Sequence, residues 1–123
     1  EGVNMRFNSN IILEVLKSNF AEEITLYVHK CIGQLDEYDL ANIFESEADY
    51  ALADFIEGIE VEDFSTEDEN DGKKVEGTLE IIVSISGYDD RTFIGTGNII
   101  LGIGFSFHVE NEKFTNVEFE YLY

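Results

Sequence analysis

Val75-Glu76-Gly77-Thr78-Leu79-Glu80-Ile81-Ile82-Val83-Ser84-Ile85-Ser86 alternates apolar or small residues with mostly polar ones along its whole length. Successive side chains of a strand point to opposite faces. The period of two therefore predicts a half-buried strand, with Val75, Gly77, Leu79, Ile81, Val83 and Ile85 turned to a core and Glu76, Thr78, Glu80, Ile82, Ser84 and Ser86 turned away.

Downstream the same logic continues. Gly87-Tyr88-Asp89-Asp90-Arg91 is a turn, and a second strand or bent pair covers Phe93 to Val109, with Ile99, Leu101, Ile103, Phe105, Phe107 and Val109 on one face. Glu110-Asn111-Glu112-Lys113 turns again, into Phe114 to Tyr123 with Val117, Phe119, Tyr121 and Tyr123 together. Connections this short favour an antiparallel meander over 74–123.

Upstream the period changes. Ile12, Leu13, Leu16, Phe20, Ile24, Tyr27, Val28, Cys31 and Ile32 recur at steps of three and four, which is helical spacing. Asn8, Ser9 and Asn10 offer N-caps, and Asn19 with Glu22 offers a second capping pair, so one long helix and two abutting ones both fit. A strand over Ile24 to Ile32 competes, because that segment is rich in β-branched residues. After Gly33 a further helix is expected from a cap at Asp36 or Asp39 to Gly58, placing Leu40, Phe44, Ala48, Ala51, Leu52, Phe55 and Ile59 on one face. Glu45, Asp49, Glu57 and Glu60 fall on the other face, with Glu47 and Asp54 beside them. From Glu60 to Gly72 apolar content is low, and Glu67-Asp68-Glu69-Asn70-Asp71-Gly72 reads as a mobile acidic loop.

The expected fold is α+β: N-terminal helices packed on one face of a C-terminal antiparallel β-meander of about three to four strands. One acidic domain fills 1–123, with 10–58 helical, 60–72 an acidic loop and 74–123 the sheet. Met5 is expected as the natural start, leaving Glu1–Asn4 as a remnant of expression.

Charge bounds the partner. The chain holds 27 Asp and Glu against seven Lys and Arg, a formal net charge of −20 over 123 residues. Between Lys30 and Lys73 there is no Lys or Arg, while 15 acids run from Asp36 to Asp71. Such a surface repels nucleic acid and anionic lipid and attracts basic protein surfaces. Solubility asks only about 2 to 8 charges of a small domain, so the excess points to a further use. No apolar run nears the ~18 residues of a membrane helix, and no signal peptide pattern opens the chain. One cysteine, Cys31, cannot form an internal disulfide. A cytoplasmic protein is expected.

The catalytic and metal-binding patterns are weak. Glu67-x-Glu69-x-Asp71-Gly72 has half the spacing of a calcium loop, yet Glu67 stands where an aspartate is needed and Thr78 where the bidentate glutamate belongs. Gly95-x-Gly97 and Gly102-x-Gly104 lie within strand-like alternation and lack the helix that a dinucleotide fingerprint requires; a bend or close backbone approach explains them. Cys31 lies on the apolar stripe as a buried thiol, and His29 and His108 face outward, with no zinc-type spacing. No metal, no cofactor and no enzymatic activity are expected.

What remains is the charge itself. The expected helix from Leu40 to Gly58 spans roughly 28 Å at ~1.5 Å per residue and carries one carboxylate per ~6 Å. That is sparser than a nucleic-acid strand, with one phosphate per ~3.4 Å, until the 60–71 segment is added. The partner-binding residues read from this are Glu45, Asp49, Glu57, Glu60, Glu62 and Asp63, extended by Glu67, Asp68, Glu69 and Asp71. The function expected is a non-catalytic inhibitor that imitates DNA or RNA toward a basic nuclease, restriction enzyme or CRISPR effector. In character it is similar to the acidic phage and plasmid inhibitors that do this, without a family motif. An immunity protein or antitoxin against a basic toxin is the alternative, and an acidic accessory domain a third. Tyr88, Tyr121 and Tyr123 at the sheet ends fit a dimer or partner interface and core packing equally well, which leaves homodimerisation open.

Overall fold

The computed structural model of the chain describes residues 6–123. The expected start at Met5 and the remnant Glu1–Asn4 lie outside the described residues. Three helices, α1 (Ser9–Asn19), α2 (Ala21–Gly33) and α3 (Glu37–Phe44), precede four strands, β1 (Tyr50–Glu69), β2 (Gly72–Asp89), β3 (Thr92–Glu110) and β4 (Lys113–Tyr121). The strands form one antiparallel sheet in the order β1-β2-β3-β4, with the helices packed against it. The expected α+β class holds, and the strand number is four.

The helices start where their caps lie. Asn8 accepts the Ile11 backbone N–H at 2.8 Å and so opens α1. Asn19 turns its amide back to the Val15 carbonyl at 3.0 Å instead of capping the next helix. Two abutting helices result, α1 and α2. The strand alternative over Ile24 to Ile32 is not realised: Ile24, Val28, Cys31 and Ile32 are buried along one side of α2, at helical spacing. Asp36 and Asp39 form a reciprocal capping box for α3.

The third helix is far shorter than its pattern predicts. It ends at Phe44, with Glu45 in left-handed backbone at φ 54°, and Tyr50 already opens β1. The segment to Gly58 carries good helix formers, but pairing with β2 offers each residue a strand neighbour, and that tertiary gain overrides local propensity. The helix's expected apolar face is correspondingly broken: Leu40, Ala48 and Ala51 are buried, whereas Leu52 and Phe55 are exposed. The acidic loop at 60–72 is also corrected. β1 continues through Glu69, and only Asn70-Asp71 turns, because the hairpin to Gly72 brings Glu60 to Glu69 beside a strong strand.

The chain divides into two compact units, the first of residues up to Ala21, Ile59–Glu80 and Gly102–Tyr123, the second of Glu22–Gly58 and Ile81–Leu101. In the first, Ile12, Leu16 and Phe20 of the helical part and Val75, Leu79, Ile103, Phe105 and Phe107 of the sheet are buried as its core. Phe107 is fully buried and touches the rings of Phe7, Phe20, Phe105 and Phe114 at centroid distances of 5.8 to 6.5 Å. In the second, α2 and Leu40 of α3 supply the helical half of a core with Ile81, Val83, Ile85 and Leu101. Phe44 lies over Gly87, where an added Cβ would meet the ring at 2.6 Å. β4 pairs with β3 from Ile103↔Tyr121 to Glu110↔Lys113, with a register shift between Ser106 and His108. There Asn116 and Val117 oppose the single residue Phe107, and Asn116 takes φ 55°, which asparagine tolerates in a bulge.

Candidate functional site

The acids of 60–71 sit on a paired strand and its turn. A strand rises ~3.3 Å per residue, so Glu60, Glu62, Asp63, Glu67, Asp68 and Glu69 follow one another over roughly 30 Å of the first unit, at the sheet edge. The neighbouring strand adds Glu80, whose carboxyl lies close enough to Glu62 to share a hydrogen bond. Glu80 first, then desolvation, Glu60 and Asp63, push the Glu62 carboxyl above the ordinary glutamate range. Like charges this close disfavour the second negative charge, so the backbone is holding the array together against repulsion.

Beside it the sheet is concave. Asp63, Phe64 and Ser65 of β1, Lys74, Glu76 and Thr78 of β2, Gly104 and Ser106 of β3, Glu118 and Glu120 of β4, and Leu122 after it line a shallow hollow of about 500 Å³. Gly77 permits the close approach of β1, since a Cβ there would press on the Asp63 carbonyl and the Phe64 backbone. Within the hollow, Asp63, Glu76, Glu118 and Glu120 face one cation, Lys74, which pairs with Glu76 at 3.6 Å. The surface offers hydrogen-bond acceptors and negative charge around the apolar patch of Phe64 and Leu122. It fits an arginine- or lysine-bearing segment better than any anion.

Not every predicted residue joins this surface. Asp68 pairs with Lys73 at 3.5 Å, and Glu69 meets His108 Nδ1 at 2.7 Å, so two of the acids are engaged by the chain's own bases. Asp71 lies in the β1–β2 turn of the same unit. Glu45, Asp49 and Glu57 belong to the second unit and are not on a helical acidic face. Glu45 ends α3. Asp49 braces the β2–β3 turn: its carboxylate accepts the Asp90 N–H at 2.7 Å, and its own N–H donates to the Tyr88 carbonyl at 2.8 Å. Desolvation, then Asp49, Glu47 and Asp90, raise the Asp89 carboxyl above its usual range. Glu57 meets the Asn98 amide at 2.6 Å.

Glu76, Glu80, Glu118 and Glu120 were not among the predicted contact residues. Their signal was present in the sequence: Glu76 and Glu80 occupy the outward positions of the alternation that defines β2, and Glu118 and Glu120 repeat it in β4. Cys31 is buried, and that burial raises its thiol pKa against the opposing effect of Lys30. Among the described residues no three His, Cys, Asp or Glu side chains converge as a metal site, and no helix is long and apolar enough to cross a membrane. Compared with protein-family models, curated proteins and solved structures, the chain finds no match.

Proposed function

We propose that the protein is a non-catalytic acidic inhibitor whose first unit enters the cationic nucleic-acid channel of a nuclease, restriction enzyme or CRISPR effector. The observation that supports this reading is the crowding of acids where β1 meets β2: Glu60, Glu62 and Asp63 on β1, and Glu80 on β2 sharing a hydrogen bond with the Glu62 carboxyl. Solubility needs charges spread apart, because crowding them costs stability without improving solvation. A cationic groove, by contrast, gains from carboxylates held at fixed positions, since lysine and arginine meet carboxylate and phosphate through the same charge-assisted hydrogen bonds. A second reading, an immunity protein against a basic toxin, is favoured by Phe64 and Leu122 lying amid the acids of the hollow, as an apolar-centred contact would require.

A competition assay separates the readings. Purified nucleic-acid-cleaving enzymes are titrated with the protein in the presence of duplex DNA, at about 50 and about 300 mM salt. A mimic inhibits competitively with DNA and weakens steeply with salt. The E60K/E62K/E80K variant should lose at least ~10-fold in affinity, the equivalent of 1.4 kcal/mol. Inhibition unchanged by that variant, or indifferent to competing DNA, contradicts the mimic.

A further inference from the structure

The second unit has one sheet edge that differs from every other. β3 runs from Thr92 to Glu110, but its pairing with β4 covers only Ile103 to Glu110, so among the described residues no strand lies on the outer side of Thr92–Leu101. An open edge presents backbone N–H and C=O groups that can accept another strand, and natural proteins guard such edges with charge. The opposite edge of this unit, the start of β1, carries Asp54 and Glu57. Thr92-Phe93-Ile94-Gly95-Thr96-Gly97-Asn98-Ile99-Ile100-Leu101 carries no charge at all, and the neutrality extends to Phe107. Phe93 is 55% exposed and Ile100 53% exposed, two large apolar side chains on the same unguarded strand.

We infer that this edge pairs with the same edge of a second copy, extending the sheet across a two-fold axis in an antiparallel homodimer. The occupant follows from charge. The strand itself carries no carboxylate and is reached by one, Glu57 of β1 at its Asn98 amide, so a basic partner would be drawn to the more acid-rich β1 edge instead. Two copies of a chain with net charge −20 repel each other over most of their surfaces, so they can meet only where both are neutral. An isologous contact places the same patch on both sides, and Thr92–Leu101 is neutral and self-compatible in that sense. Backbone hydrogen bonds supply the pairing, and covering Phe93 and Ile100 adds apolar burial.

Salt gives the dimer a signature opposite to that of the proposed inhibition. Screening relieves repulsion between like-charged copies, so dimerisation strengthens as salt rises, whereas binding to a basic protein weakens. The test is light scattering coupled to size exclusion at about 5 to about 500 μM protein and about 50 to about 500 mM salt, for wild type and for the edge variants Thr96→Glu and Ile100→Glu. The expected result is a monomer–dimer equilibrium that shifts at least ~5-fold toward dimer with salt and is lost in both variants, while the control Leu52→Glu on β1 behaves as wild type. Hydrogen exchange over 92–101 should slow with protein concentration in the wild type and not in Thr96→Glu. A monomer under all conditions overturns the proposal, as does a dimer that survives both edge substitutions or a heteromeric complex formed through this edge instead. None of these outcomes bears on inhibition through the acids of the first unit, so the two readings fail separately.

Discussion

Two side chains show how far this protein works against its own electrostatics. Glu62, beside Glu80, and Asp89, beside Asp49, both hold their protons more tightly folded than unfolded. In the pH window between the ordinary carboxylate value, about 4.3 for glutamate, and the raised one, the native state binds more protons than the unfolded chain. Stability therefore falls as pH rises through that window and is recovered on acidification. The melting temperature should climb as pH drops from neutrality toward the ordinary carboxylate value, and Glu62→Gln should melt above wild type at neutral pH and converge with it once Glu62 is protonated. Parallel curves for the two proteins would contradict the Glu62–Glu80 contact. At the apolar extreme, Phe107 has rings on several sides and no exposure, so Phe107→Ala should cost about 3–5 kcal/mol in chemical denaturation. A loss under ~1 kcal/mol would mean the aromatic cluster is not the centre of that unit's core.

The elements show which sequence signals decided the outcome. The alternation of β2 was legible up to Ile85, because its buried residues there are β-branched or leucine and its outward ones are mostly polar, leaving one register that buries a face; Ser86, expected outward, is buried and donates its hydroxyl to Asp54 at 2.7 Å. The helical stripe from Ile12 to Ile32 was legible for the matching reason, and the caps at Asn8 and Asp36 fixed where two helices begin. The segment from Ala48 to Ile59 was not. Its apolar residues satisfy a 3.6 period and, through Ala51, Ala53 and Phe55, a period of two as well, so the choice passed to a partner strand remote in sequence. The acids of 60–69 misled in the same way. Their composition argues against a strand, yet the turn after Glu69 closes a hairpin on residues with ample β preference. Turn chemistry was read only in part: Asn111 and Glu112 both take positive φ, 52° and 62°, the signature of a type I′ hairpin. A glutamate is poorly suited there. Glu112→Gly should raise stability by about 0.5–1 kcal/mol, measured by urea unfolding, and a net loss would mean that the added freedom of the unfolded chain outweighs the relieved backbone.

At the scale of the molecule, carboxylates predicted from a helix and a loop belong to strands, and the change alters what they can do. Paired strands fix the spacing of their side chains, so the acids of Glu60 to Glu69 are held in order along a pleated edge, where a loop would let them spread. The concave surface beside them adds Glu76, Glu118 and Glu120, with Lys74 as the cation paired to Glu76. The candidate site was thus legible as a composition and half legible as a set of residues. Its arrangement depended on which strand lay beside which. A short arginine-rich peptide titrated into isotope-labelled protein, followed by NMR of backbone and carboxyl resonances, tests the claim most directly. Shift changes should concentrate on Glu60, Glu62, Glu76, Glu80, Glu118 and Glu120 and leave Glu14, Glu22 and Glu23 of the helices unmoved. Changes spread evenly over the acids of helices and strands alike would contradict it.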